Sequence, residues 1–278
     1  MRISGSRRPN AADRGLRALP DHGTTSLRID PGRLTLITDQ DRECFREKGF
    51  VALAAVIPAS MIERVNAHLS TVTESALDLE YSVPNVNLEC PGGGFLGQTG
   101  RVKSYRGVLR AMFHLEERDP FFADLGDKSD FYRHVVSALV AGHRPRLLSV
   151  NYWGKPAAVG SAQPWHQDLA YIPPVQRTSY NGALTCWIAL DPARVENGCL
   201  EFYPGSHRSG DLPHIGSADA ADGEQIRLEV SRLFPGLQPT PVELDPGAAV
   251  FFDGRVVHGS RVNTSSVPRR AISFSYIY

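Results

Sequence analysis

The chain has 278 residues, 42% of them apolar, with 30 basic and 30 acidic side chains and a formal charge of zero. This length can bury a substantial core as one large domain, and the balanced charge offers no electrostatic footprint for nucleic acid or an anionic membrane, so a small molecule is the fitting partner. Cys44, Cys90, Cys186 and Cys199 form no CxxC pair, no run reaches the roughly 18 apolar residues of a membrane span, and no apolar signal segment opens the chain. These features predict a cytoplasmic protein with reduced, structural thiols.

Residues 1–30 carry Arg2, Arg7, Arg8, Arg14, Arg17 and Arg28 among Gly and Pro without apolar periodicity, which predicts a flexible extension ahead of a single domain over 31–278. Asp13, Asp21 and Asp30 argue against a transit peptide. Within the domain a helical part is expected over 38–145 and a β-rich core over 146–278. Thr38, followed by Asp39 and Asp41, reads as the cap of a helix that stops near Gly49, and Phe50-Val51-Ala52-Leu53 as a short strand. Ile62, Val65, Leu69 and Val72 recur at helical spacing to about residue 77.

Pro84, Pro91, Gly92, Gly93, Gly94 and Gly97 predict a long irregular segment over 82–107. No Gly-Lys-Ser/Thr follows the glycines, so they are read as a loop and not as a phosphate cradle. A helix from about Phe121 to Ala141 would bury Phe122, Leu125, Phe131, Val135 and Leu139. Short β-rich runs then follow at 147–152, 163–168, 183–190, 199–203, 242–244, 248–252, 255–258 and 269–277, broken by turn residues, and predict a sandwich or barrel. The Gly-, Asp- and Pro-rich insert 209–240 reads as a functional lid or a disordered stretch.

In Pro164-Trp165-His166-Gln167-Asp168 an imidazole and a carboxylate stand at i and i+2, on the same face of an extended strand. His258 follows 92 residues after His166, at the end of an apolar run that could lie alongside. Two His and one carboxylate on one face suit Fe(II) and leave positions open for a bidentate co-substrate and O2. An HxD pair alone is weak, since nine His and 30 acidic residues produce such pairs by chance. The downstream run Asn197-Gly198-Cys199-Leu200-Glu201-Phe202-Tyr203-Pro204-Gly205-Ser206-His207, then His258-Gly259-Ser260 and Pro268-Arg269-Arg270, strengthens it.

With these motifs the chain resembles the phytanoyl-CoA dioxygenase family of Fe(II)/2-oxoglutarate oxygenases, from Phe45-Arg46-Glu47-Lys48-Gly49-Phe50 to the C-terminus. The resemblance implies a mainly β fold with flanking helices, built on a double-stranded β-helix, the jelly roll of cupins. It implies that His166, Asp168 and His258 ligate iron. It implies that Arg269, 11 positions after the distal His, binds the far carboxylate of 2-oxoglutarate, with Ser260 donating a hydroxyl to the same group. A guanidinium suits a carboxylate because it pairs bidentately and stays charged when desolvated. Arg270 is the competitor, but adjacent strand residues point to opposite faces, so only one of the two can enter the barrel.

Trp187, Gln167 and Lys103 are the further co-substrate contacts that the resemblance implies; for Trp187 a plain core role competes. His207 and the Pro204-Gly205 turn are read as structural. The implied reaction is oxidative decarboxylation of 2-oxoglutarate to succinate and CO2, coupled to hydroxylation of an aliphatic C–H. Related halogenases replace the carboxylate by a small residue, so Asp168 argues against halogenation. Desaturation, epimerisation and cyclisation share the same iron site.

Residues 82–110, 169–182 and 209–240 are expected to build the substrate pocket. Arg106, Arg110, Arg177 and Arg227 are too scattered for a coenzyme A phosphate cluster, which favours a small or medium organic metabolite from specialised biosynthesis. A non-catalytic cupin-like module is the competing class, and it has no need of Arg269 or Ser260. A zinc hydrolase with the same ligands would act without O2.

Overall fold

The computed structural model describes residues 37–91, 103–140, 142–172, 174–177, 180–216 and 226–278. The expected extension 1–30 and the Gly92–Gly94 run lie outside the described residues.

Helix α1 (Asp39–Lys48) starts as its sequence dictates: the Thr38 hydroxyl accepts from the Asp41 amide and Asp41 reaches back to the Thr38 amide. It ends at Gly49, whose φ of +83° closes the helix left-handed before strand β1 (Phe50–Leu53). Helix α2 (Ala59–Thr73) buries Val65 and Leu69 on the expected face. The region read as wholly irregular contains a strand, β2 (Val86–Leu88), which pairs with β3 (Leu109–Met112). Val86, Asn87 and Leu88 are buried and pair across a long sequence gap, a partner that local turn signals cannot reveal.

After the one-turn helix α3 (Leu115–Arg118) comes α4 (Pro120–Asp127), capped by Asp119 with Pro120 in the first turn. The single helix expected over 121–141 is broken. Ser129 donates to the Leu125 carbonyl at 2.5 Å and accepts from the Tyr132 amide at 3.2 Å, so its side chain competes with the helical ladder. Wider turns over Tyr132–Val136 and a short helix at Ser137–Leu139 follow. The burial pattern survives the break, because Phe122, Leu125, Phe131, Val135 and Leu139 are all core residues.

Eight strands complete the fold: β4 (Arg146–Lys155), β5 (Gln163–His166), β6 (Ala183–Ala189), β7 (Leu200–Phe202), β8 (Thr240–Val242), β9 (Ala249–Asp253), β10 (His258–Ser260) and β11 (Arg269–Ile277). The runs expected at 242–244 and 255–258 are displaced. In the second case the Asp253 carboxylate accepts from the Arg255 amide at 2.7 Å and its carbonyl from Val256 at 2.9 Å, a turn that delays the strand to His258.

The strands form two antiparallel sheets, one ordered β1-β9-β6-β11-β4-β3-β2 and the other β5-β10-β7-β8. This is the expected jelly roll with helices outside. The large sheet is covered on both faces, so the side-chain alternation of its strands sorts residues into two cores. Ile272, Phe274, Tyr276, Ile188 and Phe251 pack under the helices, while Trp187, Val250, Phe252 and Ala271 face Phe202 and Val242 of the small sheet. The functional site opens from this second layer. No helix among the described residues is long and apolar enough to cross a membrane.

Candidate active site

His166 closes β5 and His258 opens β10, and the antiparallel register sets them directly opposite one another with ring centroids 4.3 Å apart. Asp168 lies two residues on, in a tight turn over Asp168–Tyr171; extended Gln167 keeps it on the face of His166. Its Oδ1 stands 3.4 Å from Nε2 of each histidine. The three ligand atoms lie within 4.8 Å of one another, close enough to hold one ion.

The chemistry of the donor set fits a divalent metal. Nδ1 of His166 meets the Pro164 carbonyl at 2.7 Å and Nδ1 of His258 meets that of Val256 at 3.1 Å. A carbonyl only accepts, so both Nδ1 atoms carry the proton and both Nε2 lone pairs face the centre. Burial and the neighbouring His258 lower the proton affinity of His166. Burial pushes the Asp168 carboxyl up, whereas positive charge on the two imidazoles, when they are protonated on both nitrogens, outweighs burial and holds it well below the usual carboxylate range; with neutral rings, a cation between the three groups would supply that charge. The remaining Asp168 oxygen, Oδ2, accepts from the Thr185 hydroxyl at 2.6 Å.

A cavity of about 470 Å³ runs from these ligands along the inner face of β4, β11 and β6. At its inner end lies Arg269, 4% exposed, with its guanidinium 5.0 Å over the Trp187 ring. Burial lowers Arg269 to about 10, so it is still charged at neutral pH. Its Nε has no hydrogen-bond partner, which is what a site awaiting an anion would show. Ser260, Lys155 and Trp153 line the same end. Arg270 points to the other face, where it forms a two-pronged pair with Asp191 at 2.8 and 2.9 Å and meets Asn66 of α2.

Two expected co-substrate contacts fall elsewhere. Gln167 is turned away from the cavity: its amide donates to the carbonyls of Gly210 and Arg255 and accepts from the Leu212 amide. Strand alternation sends it to the face opposite His166 and Asp168, where it clamps the loop after β7. Lys103 is a surface residue beside Glu80 at 3.5 Å, with a side chain 67% exposed. Its exposed ion pair with Glu80 holds it away from the cavity lining.

Of the expected pocket loops, Arg110, Tyr171, Ile172, Gln176 and Tyr180 do line the cavity. No described residue of 209–240 does; His214 and Leu212 back the ligand loop from outside. Lys155 and Thr185 are site residues that the sequence reading passed over. Thr185 stands two positions before Trp187 on β6, and strand periodicity alone would have put it on the same face. Lys155 carries no such signal, because a lone Lys before Pro156 reads as surface.

Comparison with known proteins agrees with this geometry. The family model described as "Phytanoyl-CoA dioxygenase (PhyH)" matches residues 45–271. A phytanoyl-CoA dioxygenase domain-containing protein 1 homolog from Caenorhabditis elegans is 31% identical over 266 residues, covering 83% of this chain and 87% of its own. The Danio rerio protein of that name is 26% identical, covering 87% and 90%. Among solved structures, EvdO2 from Micromonospora carbonacea var. aurantiaca complexed with 2-oxoglutarate superposes with a TM-score of 0.64 at 25% identity, over 88% of this chain and 92% of that one.

Proposed function

We propose, from the premise that this chain belongs to the phytanoyl-CoA dioxygenase family, that His166, Asp168 and His258 hold its iron, and Arg269 and Ser260 the far carboxylate of 2-oxoglutarate. The protein is an Fe(II)- and 2-oxoglutarate-dependent oxygenase. When bound, Fe(II) with 2-oxoglutarate and O2 supplies the oxidant for C–H cleavage, and the co-substrate leaves as succinate and CO2.

The chain's own residues set where that chemistry happens. The two Nε2 atoms and Asp168 Oδ1, all within 4.8 Å of one another, would hold the metal with three protein ligands, a number that suits Fe(II) and the binding of a co-substrate and O2. Thr185 holds Asp168 by the oxygen that does not face the histidines. Arg269, its guanidinium 5.0 Å over the Trp187 ring, presents its fork to a carboxylate in the cavity. The observation that carries the assignment is the buried, unpaired Arg269 in the same cavity as the triad. A ligand-binding module without 2-oxoglutarate chemistry has no use for it.

The reaction we assign is hydroxylation of an aliphatic C–H of a small or medium organic metabolite, in the cytoplasm and within specialised biosynthesis. The volume of the cavity, part of which the co-substrate takes, supports that size. Its mouth mixes Leu148, Tyr171 and Ile172 with Ser149, His114 and Gln176. The charged lining residues among those described are Arg110, Lys155, Asp168 and Arg269. They do not form the exposed basic cluster that coenzyme A phosphates need.

Incubation with Fe(II), 2-oxoglutarate and air should release succinate, slowly alone and faster with the right metabolite, and Asp168→Ala should abolish it. Protein shown to bind Fe(II) that releases no succinate under either condition would refute the assignment.

A further inference from the structure

Beside Arg269 lies a second buried cation. Lys155, 3% exposed at the end of β4, is the register partner of Arg269 across the β4–β11 pair. The fold makes a slot for it: a Cβ on Gly198 would meet Lys155 Cδ at 2.7 Å, and a Cβ on Gly160 would collide with its Cγ. Room of this kind for a lysine stem inside a barrel is unusual, because lysine is almost never fully buried without a charge partner.

That partner is missing among the described residues. The buried Glu89 is occupied by Arg110 at 3.5 Å and by the Ser161 amide and hydroxyl at 3.1 and 2.7 Å. Lys155 instead donates to the carbonyls of Ser161 at 2.8 Å and Arg261 at 2.5 Å, and to Ser260 Oγ at 3.0 Å. The third bond has a directional consequence. An oxygen that accepts from an ammonium has its own hydrogen free to point elsewhere, and Ser260 lines the cavity. Burial and the charges of Arg269 and Arg110 depress the Lys155 ammonium, so an anion arriving between them relieves it.

We infer that Lys155 is a positioning residue for 2-oxoglutarate: by donating to Ser260 Oγ it turns the serine hydroxyl toward the far carboxylate, and it supplies with Arg269 the paired positive charge that selects a dicarboxylate. The inference rests on the reading that Arg269 and Ser260 receive that carboxylate. None of the Lys155 hydrogen bonds among the described residues goes to His166, Asp168 or His258, so its effect falls on co-substrate selection and not on metal uptake.

The test compares two ligands by calorimetry on protein loaded with Mn(II), a redox-inert substitute for Fe(II). One is 2-oxoglutarate; the other is 2-oxopentanoate, which has the same chain length and a methyl where the far carboxylate stands. Lys155→Met and Lys155→Gln should each weaken 2-oxoglutarate by about tenfold or more, the scale of a hydrogen bond to a charged group, and leave 2-oxopentanoate and Mn(II) affinity unchanged. Gln retains two N–H donors for the Ser161 and Arg261 carbonyls and so guards against a variant that does not fold. Ser260→Ala, which keeps both of those bonds, should show the same selective loss, and combining it with Lys155→Gln should cost less than the two losses added.

Equal loss of both ligands would assign Lys155 a merely structural role and overturn the inference, as would unchanged 2-oxoglutarate affinity in the Lys155 variants or in Ser260→Ala. Arg269→Met separates the two levels. If it leaves 2-oxoglutarate affinity intact, the carboxylate reading itself fails; if it abolishes binding while the Lys155 variants match wild type, only the role of Lys155 falls.

Discussion

At the scale of single residues, the site depends on side chains whose second atom is as constrained as the first. Asp168 offers one oxygen to the metal position while Thr185 holds the other at 2.6 Å, and each histidine is locked through Nδ1 to a carbonyl of its own strand or turn. Thr185→Val keeps the shape and burial of the threonine but removes that donor, leaving Asp168 free to rotate. We expect Fe(II) affinity to fall about 10–100-fold, with the melting temperature of the metal-free protein little changed. Metal titration under anaerobic conditions checks this, and an unaltered affinity would show that Thr185 does not position the ligand. The Arg269–Arg270 pair makes the same point about alternation: neighbours in sequence, one faces the cavity unpaired and the other an Asp on the outer face.

At the scale of elements, the Pro204-Gly205-Ser206-His207 turn acts as a structural clamp, as expected from its sequence. The Gly205 amide donates to the Lys48 carbonyl and His207 Nε2 to that of Arg46, so the turn closes over the end of α1. Ser206 Oγ accepts from the Val257 amide at 2.8 Å, one residue before the distal ligand. The clamp thus ties the first helix to the strand that delivers His258. Gly49 is where it is least tolerant, since φ is +83° and a Cβ would meet His207 Nδ1 at 2.5 Å. Gly49→Ala should destabilise the protein by about 2 kcal/mol or more, from left-handed strain added to overpacking. Denaturant titration measures it; a change below a few tenths of a kcal/mol would mean that the clamp yields.

At the scale of the whole molecule, the triad joins two strands of the small sheet, β5 and β10, to the turn that leads into the β6 side of the large sheet. A metal held there binds the folded chain and not the unfolded one. A hundredfold excess of Mn(II) over its Kd should therefore add about 2.7 kcal/mol to stability, seen as a higher melting temperature that a chelator reverses. His258→Ala should lose that increment. Equal melting temperatures with and without metal, in wild-type protein, would argue that the three ligands do not act together.

The sequence by itself determined most of the order of elements and the inward faces of the strands, because these follow from short-range periodicity; it singled out His166, Asp168 and His258 as the candidate metal-binding set only through their company of motifs and the family resemblance those motifs carry. The strands at 146–155, 163–166, 183–189 and 269–277 were legible from that periodicity, as was the rule that one of Arg269 and Arg270 must turn inward. What only the tertiary structure decided is which residues meet across long gaps. Strand β2 exists because of a partner about twenty residues on. Lys155 became a site residue because Gly160, Gly198 and Ser260 converge on it, and Gln167 left the site because the 210–212 loop supplies its hydrogen bonds. A buried polar group is placed by the partners that compensate its desolvation, and those partners are adjacent only after the chain has folded.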